Sequence, residues 1–183
     1  MDLPISEFPP ERDLVRSSES EVCETLEVSR LSKYYYMDPR APVPNRLHIG
    51  TAVAIFYQGR VLLDHRRDSS WGLIGGALEL GESLEECVLR EALEETGLNV
   101  YQLRLLGVFS HPSRIIEYPN GDAVQSITIC FAGDARSDSL RLSTESRDAR
   151  YFSRDDLESV PIVETHRMIV PHLFCPETWP IIL

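Results

Sequence analysis

Three glutamates, Glu91, Glu94 and Glu95, stand at i, i+3 and i+4. If residues 84–96 wind as a helix at about 100° per residue, their carboxylates are surface neighbours on an arc of about 100°. Like charges at that spacing each destabilise a helix by about 0.2–0.5 kcal/mol. No lysine lies on the stretch to offset them, and Arg90 sits at the edge of the arc within reach of Glu86 or Glu94. A divalent cation between the carboxylates removes that cost, and oxygen donors suit Mg²⁺ or Mn²⁺ rather than zinc. Without the cation, crowding raises at least one carboxylate pKa. The competing reading is a solvated acidic face, the usual meaning of a charge run on a helix.

The elements that would position these carboxylates are legible on either side. Ser83 is placed to cap the helix, with Glu86 three residues on completing a capping box, and Gly97 is placed as its C-terminal stop. Val88, Leu89, Ala92 and Leu93 fall on an apolar arc of about 140°, wide enough to dock on a sheet. Upstream, Thr51–Tyr57 and Arg60–His65 read as a hairpin turning at Gln58-Gly59. Between hairpin and helix, Gly75-Gly76 marks a bend or a close backbone approach. Downstream, Val100–Phe109 and Ala123–Phe131 read as strands, with a turn at Tyr118–Asp122, and Arg150–Phe152 as a short strand. Ser153 caps a short helix through Leu157, and a last helix is expected over about Val163–Phe174, with Pro171 able to kink or shorten it. Strands with helices interspersed indicate a mixed α/β domain.

The chain of 183 residues suits one domain plus an extension. Residues 1–45 read as the extension and 46–183 as the domain. The prolines at 39, 42 and 44 favour an extended linker, while 21–32 fits a helix or a strand equally. Tyr34, Tyr35 and Tyr36 could pack on the domain, touch a partner subunit or stack on a base, with packing favoured. Net charge is −11, and seven Glu against one Arg fall in residues 79–95. That balance argues against generic nucleic-acid binding. No apolar run approaches the roughly 20 residues needed to span a bilayer, and Met1–Pro4 lacks a basic-then-apolar leader, so a cytoplasmic location without membrane attachment is expected. The four cysteines and five histidines are scattered, without zinc or redox spacing.

Around the helix the residues resemble the Nudix box: Gly76, then Glu82, then Arg90-Glu91-Ala92-Leu93-Glu94-Glu95-Thr96-Gly97-Leu98. All seven fixed positions of that pattern are present at the family's spacing. Ala92 replaces a usually larger aliphatic, and Ile74, in Trp71-Gly72-Leu73-Ile74-Gly75-Gly76, replaces a common proline. The broader resemblance covers about residues 47–175. It implies an α/β/α sandwich with a mixed β-sheet, the box forming a loop–helix–loop beside the substrate cleft.

The resemblance also implies roles. Glu94 and Glu95 match metal ligands, with the Gly75 carbonyl as an additional one. Glu91 matches a ligand or a catalytic base, and Arg90 and Glu82 match a supporting pair. A further carboxylate often comes from a later loop, and Glu145, six residues before Tyr151-Phe152, is the candidate, in competition with Glu117 and Asp122. The implied reaction is Mg²⁺-dependent cleavage of a diphosphate bond in a small nucleotide-type substrate, Mn²⁺ being a possible substitute. Pro112, 14 residues beyond Leu98, is near the place where ADP-ribose hydrolases of the family carry a proline. ADP-ribose or a sugar nucleotide is therefore favoured over a nucleoside triphosphate. A homodimer is plausible, since many relatives are dimers. Two other classes compete: a non-catalytic Nudix-like nucleotide sensor, and an interaction protein whose acidic helix is a docking face.

Overall fold

A computed structural model describes residues 31–142 and 146–183. In chain order its strands and helix are β1 (Lys33–Tyr35), β2 (Arg46–Tyr57), β3 (Arg60–His65), β4 (Trp71–Gly72), α1 (Leu84–Thr96), β5 (Tyr101–Phe109), β6 (Ile115–Glu117), β7 (Ala123–Asp134), β8 (Asp148–Phe152) and β9 (Ile181–Ile182). They build one mixed sheet ordered β1-β6-β7-β2-β3-β4, with β5 also on β7, β8 on β3 and β9 on β5. The central pair, β2 and β7, is parallel over eleven registered positions from Arg46↔Val124 to Phe56↔Asp134.

The hairpin forms where the turn chemistry places it. Gln58 and Gly59 have φ of 49° and 75°, the positive pair that a tight two-residue hairpin turn requires. Only Phe56↔Val61 and Tyr57↔Arg60 pair across it before the strands splay. Into the gap comes the segment after β4. Thr51 N–H donates to Gly76 O at 2.9 Å, Val53 N–H to Ile74 O at 2.8 Å, and Leu78 N–H to Ile49 O at 3.1 Å.

The alternation of β2 sorts two apolar clusters. Ala52 and Ala54 join Leu63, Leu106, Phe109, Ile169 and Leu173. Val53 and Ile55 join Leu62, Ile74 and the helix residues Val88 and Ala92. α1 therefore covers one side of the sheet, and the segment 156–174 covers the other. α1 carries both expected caps: Ser83 Oγ accepts from the Glu86 amide at 3.2 Å while Glu86 Oε2 accepts from the Ser83 amide at 2.7 Å. Gly97, at φ 72°, closes the other end.

Three expectations change. The helix buries Cys87, Val88, Ala92 and Thr96, while Leu93, expected on the docking arc, is 48% exposed. The helix is rolled so that Glu91 and Glu95, rather than Leu93, turn inward toward the glycine loop. The helix expected over Val163–Phe174 is instead short 3₁₀ turns at Glu164–His166 and Val170–His172. Pro171 has no amide to donate, and the surrounding amides bond three residues back, as Leu173 does to Val170. Strands β6 and β9 were not expected at all.

The sheet reaches further toward the N-terminus than residue 46. β1 pairs antiparallel with β6, Tyr34 opposite Ile116, and the Tyr35 hydroxyl donates to Glu117 Oε2 at 2.7 Å. The undecided stretch 21–32 lies almost wholly outside the described residues. Among the described residues no helix is long and apolar enough to cross a membrane.

Candidate active site

The glycine loop exists to bring backbone and carboxylate together. At Gly75, φ 151°, a Cβ would lie 2.2 Å from Thr51 O. At Gly76 a Cβ would lie 2.2 Å from Glu91 Oε1. The loop is thus pressed between β2 on one side and the Glu91 carboxylate on the other, a placement that no side chain at either position leaves room for.

Arg90 orders the carboxylates. Its Nε and Nη2 donate to the two oxygens of Glu82 at 3.1 and 2.9 Å, a bidentate pair. Its Nη1 donates to Glu91 Oε1 at 2.8 Å and to Glu94 Oε2 at 3.3 Å. Hydrogen bonds from Arg90 hold the Glu82 carboxyl down to about 2. Glu82 Oε1 also accepts from the Glu79 amide at 2.7 Å, so one arginine and one glutamate tie the loop to the helix.

The inward carboxylates are in the opposite electrostatic situation. Burial, then the charges of Asp64 and Glu91, push the Glu95 carboxyl up to about 8, against weaker relief from Arg66 and the Gly75 amide. Burial also raises the Glu91 carboxyl, despite Arg90. Asp64 on β3 is raised by burial too, and its Oδ1 is buried without a hydrogen-bond partner among the described residues. An excess of buried negative oxygen, one atom of it orphaned, is what a hard divalent cation would satisfy. Among the described residues no three acidic, histidine or cysteine side chains already converge on one metal-sized point. Arg90 holds Glu91 and Glu94 instead.

Of the other expected residues, Glu145 lies outside the described residues. Glu117 accepts from Tyr35 and Lys33 of the edge strand β1, and Asp122 pairs with Arg46 at 3.0 Å. Asp64 was missed. Its signal was available: alternation in Val61-Leu62-Leu63-Asp64 puts it on the same face as Leu62, which packs toward α1.

Beside the loop lies a cavity of about 280 Å³, walled by Gly75 and Gly76, by Arg66, and by Tyr34, His48 and Tyr118. Other aromatics of the sheet are spent on packing: Trp71 stacks on His65 at 4.6 Å, Phe56 meets Phe174 edge-on and Tyr57 meets Tyr151. Behind the cavity, wholly buried Arg114 donates to the carbonyls of Phe109, Ser126 and Thr165 and to Thr128 Oγ1. His166, partly buried, accepts from the Leu73 amide at 3.1 Å on Nδ1; desolvation, with Arg66 and Arg114 nearby, drives its pKa down to about 3, so the ring is neutral.

Known proteins resemble the chain in sequence and in fold. An ADP-ribose pyrophosphatase of Methanocaldococcus jannaschii is 36% identical over 124 residues, 63% of this chain and 68% of that protein. An NAD-capped RNA hydrolase NudC of Vibrio vulnificus is 32% identical over 111 residues, 59% of this chain but only 39% of that protein. Among solved structures, a MutT NUDIX hydrolase from Burkholderia pseudomallei superposes with a TM-score of 0.57 at 28% identity, over 68% of this chain and 96% of that one. The NUDIX domain family model matches residues 46–173, from the first residue of β2 through the last buried leucine of the covering segment. That span takes in the box and most of the sheet that holds it, and by it the chain belongs to the Nudix hydrolase family.

Proposed function

We propose that the protein hydrolyses a diphosphate bond in a nucleoside diphosphate linked to a second group, with Mg²⁺ as the working cation and ADP-ribose or a sugar nucleotide as the substrate class. One observation carries the reading: Glu91, Glu95 and Asp64 are drawn inward with more negative charge than the surrounding cations balance, and Glu91 presses on the glycine loop that also lines a cavity of about 280 Å³. The names of the relatives support the substrate class, because ADP-ribose and an NAD cap share an ADP unit joined to another group.

Glu91, Glu94, Glu95 and the Gly75 carbonyl would hold the cation, and Asp64 adds a carboxylate beside Glu95. When bound, the cation neutralises phosphate oxygens and lowers the pKa of water. Glu91 has the burial and raised proton affinity to accept a proton from the attacking water. Glu145 is the alternative base. Arg90 and Glu82 fix the helix against the loop, so that Glu91 is held next to Gly76.

The test is phosphate or monophosphate release from ADP-ribose, sugar nucleotides, nucleoside triphosphates and dinucleoside polyphosphates, with Mg²⁺ and with EDTA. Mg²⁺-dependent turnover of ADP-ribose or a sugar nucleotide is expected, and Glu94→Gln should lower it by about 100-fold or more with the fold intact. A fully active Glu94→Gln enzyme, or turnover indifferent to EDTA, refutes the site.

A further inference from the structure

The cavity beside the glycine loop has a composition of its own. Arg66 is the one side chain of fixed positive charge among the described residues that line it, and no carboxylate lines it. Its character is set by two tyrosines. Tyr34 is held in place: Arg66 Nη2 donates to its hydroxyl, and the guanidinium lies over one face of the ring, 4.9 Å from its centroid. Its backbone is fixed by pairing with Ile116 of β6, which also lines the cavity. Tyr118 leaves β6 at the following turn, and its hydroxyl meets His48 Nδ1 at 3.4 Å.

We propose that this cavity is a nucleobase site, and that Tyr34, which precedes the family domain in the sequence, supplies the face on which the base stacks. Three features point the same way. Stacking needs a rigid aromatic face, and Tyr34 is held by a strand ladder and an arginine rather than left on a free loop. The volume, about 280 Å³, falls just below the usual range for whole small-molecule ligands and suits the nucleoside end of a substrate, leaving the second group outside. Gly75 and Gly76 of the box loop line the same cavity as Tyr34 and Arg66, so a base held there keeps its phosphates within the reach of the box. A sugar-phosphate end would find one guanidinium and two aromatic rings, a poorer match than a flat heterocycle. The assignment rests on the nucleotide reading above but is read by binding, not turnover.

Isothermal titration of the full chain with AMP, GMP, CMP and UMP, and with ribose 5-phosphate, tests it. At least one nucleoside monophosphate is expected to bind, with Tyr34→Ala weakening it by about 10-fold or more and ribose 5-phosphate by less than about 2-fold. Tyr34→Phe, which keeps the ring and loses only the hydroxyl, should stay within about 2-fold of wild type. Mn²⁺ binding to Tyr34→Ala, followed by paramagnetic resonance, should be unchanged, which also shows that the variant is folded. No nucleotide binding by the wild type, unchanged nucleotide affinity in Tyr34→Ala, or an equal loss for ribose 5-phosphate overturns the assignment. An inactive enzyme that still binds AMP through Tyr34 would remove the proposed reaction and leave the base site standing.

Discussion

Gly76→Ala separates the site from the fold. The added Cβ would lie 2.2 Å from Glu91 Oε1, 2.5 Å from Cδ and 2.8 Å from Oε2. Ordinary van der Waals contact begins near 3.4 Å, so the carboxylate must retreat by about 1.2 Å. The atoms that give way are the end of a flexible side chain, and the melting temperature should move by no more than about 3 °C. The chemistry is less forgiving, because a misplacement of about 1 Å costs roughly 100-fold in rate. Gly75→Ala is the contrasting control. Its Cβ meets the Thr51 carbonyl and Ala52 Cα, backbone atoms that cannot swing aside, at a φ of 151°. Overpacking and backbone strain together cost about 3 kcal/mol, or about 10 °C. Initial rates of phosphate release and differential scanning calorimetry on both variants give the comparison. Gly76→Ala with wild-type kcat, or with activity lost only in proportion to unfolded protein, refutes the claim that the loop sets the position of Glu91.

Two further outcomes are expected. The Glu95 carboxyl is raised to about 8 in the folded protein from an ordinary 4.5, so its stabilising effect is complete below about 4.5 and is lost as pH rises through about 8. With EDTA the melting temperature should therefore fall across that range, Glu95→Gln should flatten the slope, and Mg²⁺ should stabilise most at the alkaline end; a slope unchanged by Glu95→Gln sinks this account. Arg114→Leu strips a donor from the Phe109, Ser126 and Thr165 carbonyls and from Thr128. At about 1–3 kcal/mol for a buried group left unsatisfied, the melting temperature should drop by about 10 °C or more, and a drop under about 2 °C would mean that water or the backbone replaces the arginine.

The box was readable because its signals are local. Ser83, Glu86 and Gly97 fix the helix ends within one turn, and the glutamate spacing is meaningful on any helix. Which face the helix buries was not readable, because Leu93 is apolar and the inward turn of Glu91 and Glu95 depends on a loop 15 or more residues upstream. Asp64 meets Glu95 only through the packing of β3 beneath α1. β6 and β9 are three and two residues long, and their ladders are made with partners distant in sequence. Nothing local in the sequence marks Arg114 as a core residue, yet it is wholly buried, because five carbonyl and hydroxyl contacts converge on it from three separate segments.

The parallel ladder between β2 and β7 also has a kinetic side. Arg46 and Val124, its first partners, are 78 residues apart, and the whole glutamate helix lies within the loop that their pairing closes. The β2–β3 turn and the capped helix need only neighbours in sequence and can form in microseconds, whereas this closure belongs among the slow, non-local events of folding. The loop that presses on Glu91 is anchored to β2, and β2 is central only once β7 lies beside it. Helical signal in refolding chains should therefore rise first, and affinity for a divalent ion should arrive later, with the closing of the sheet.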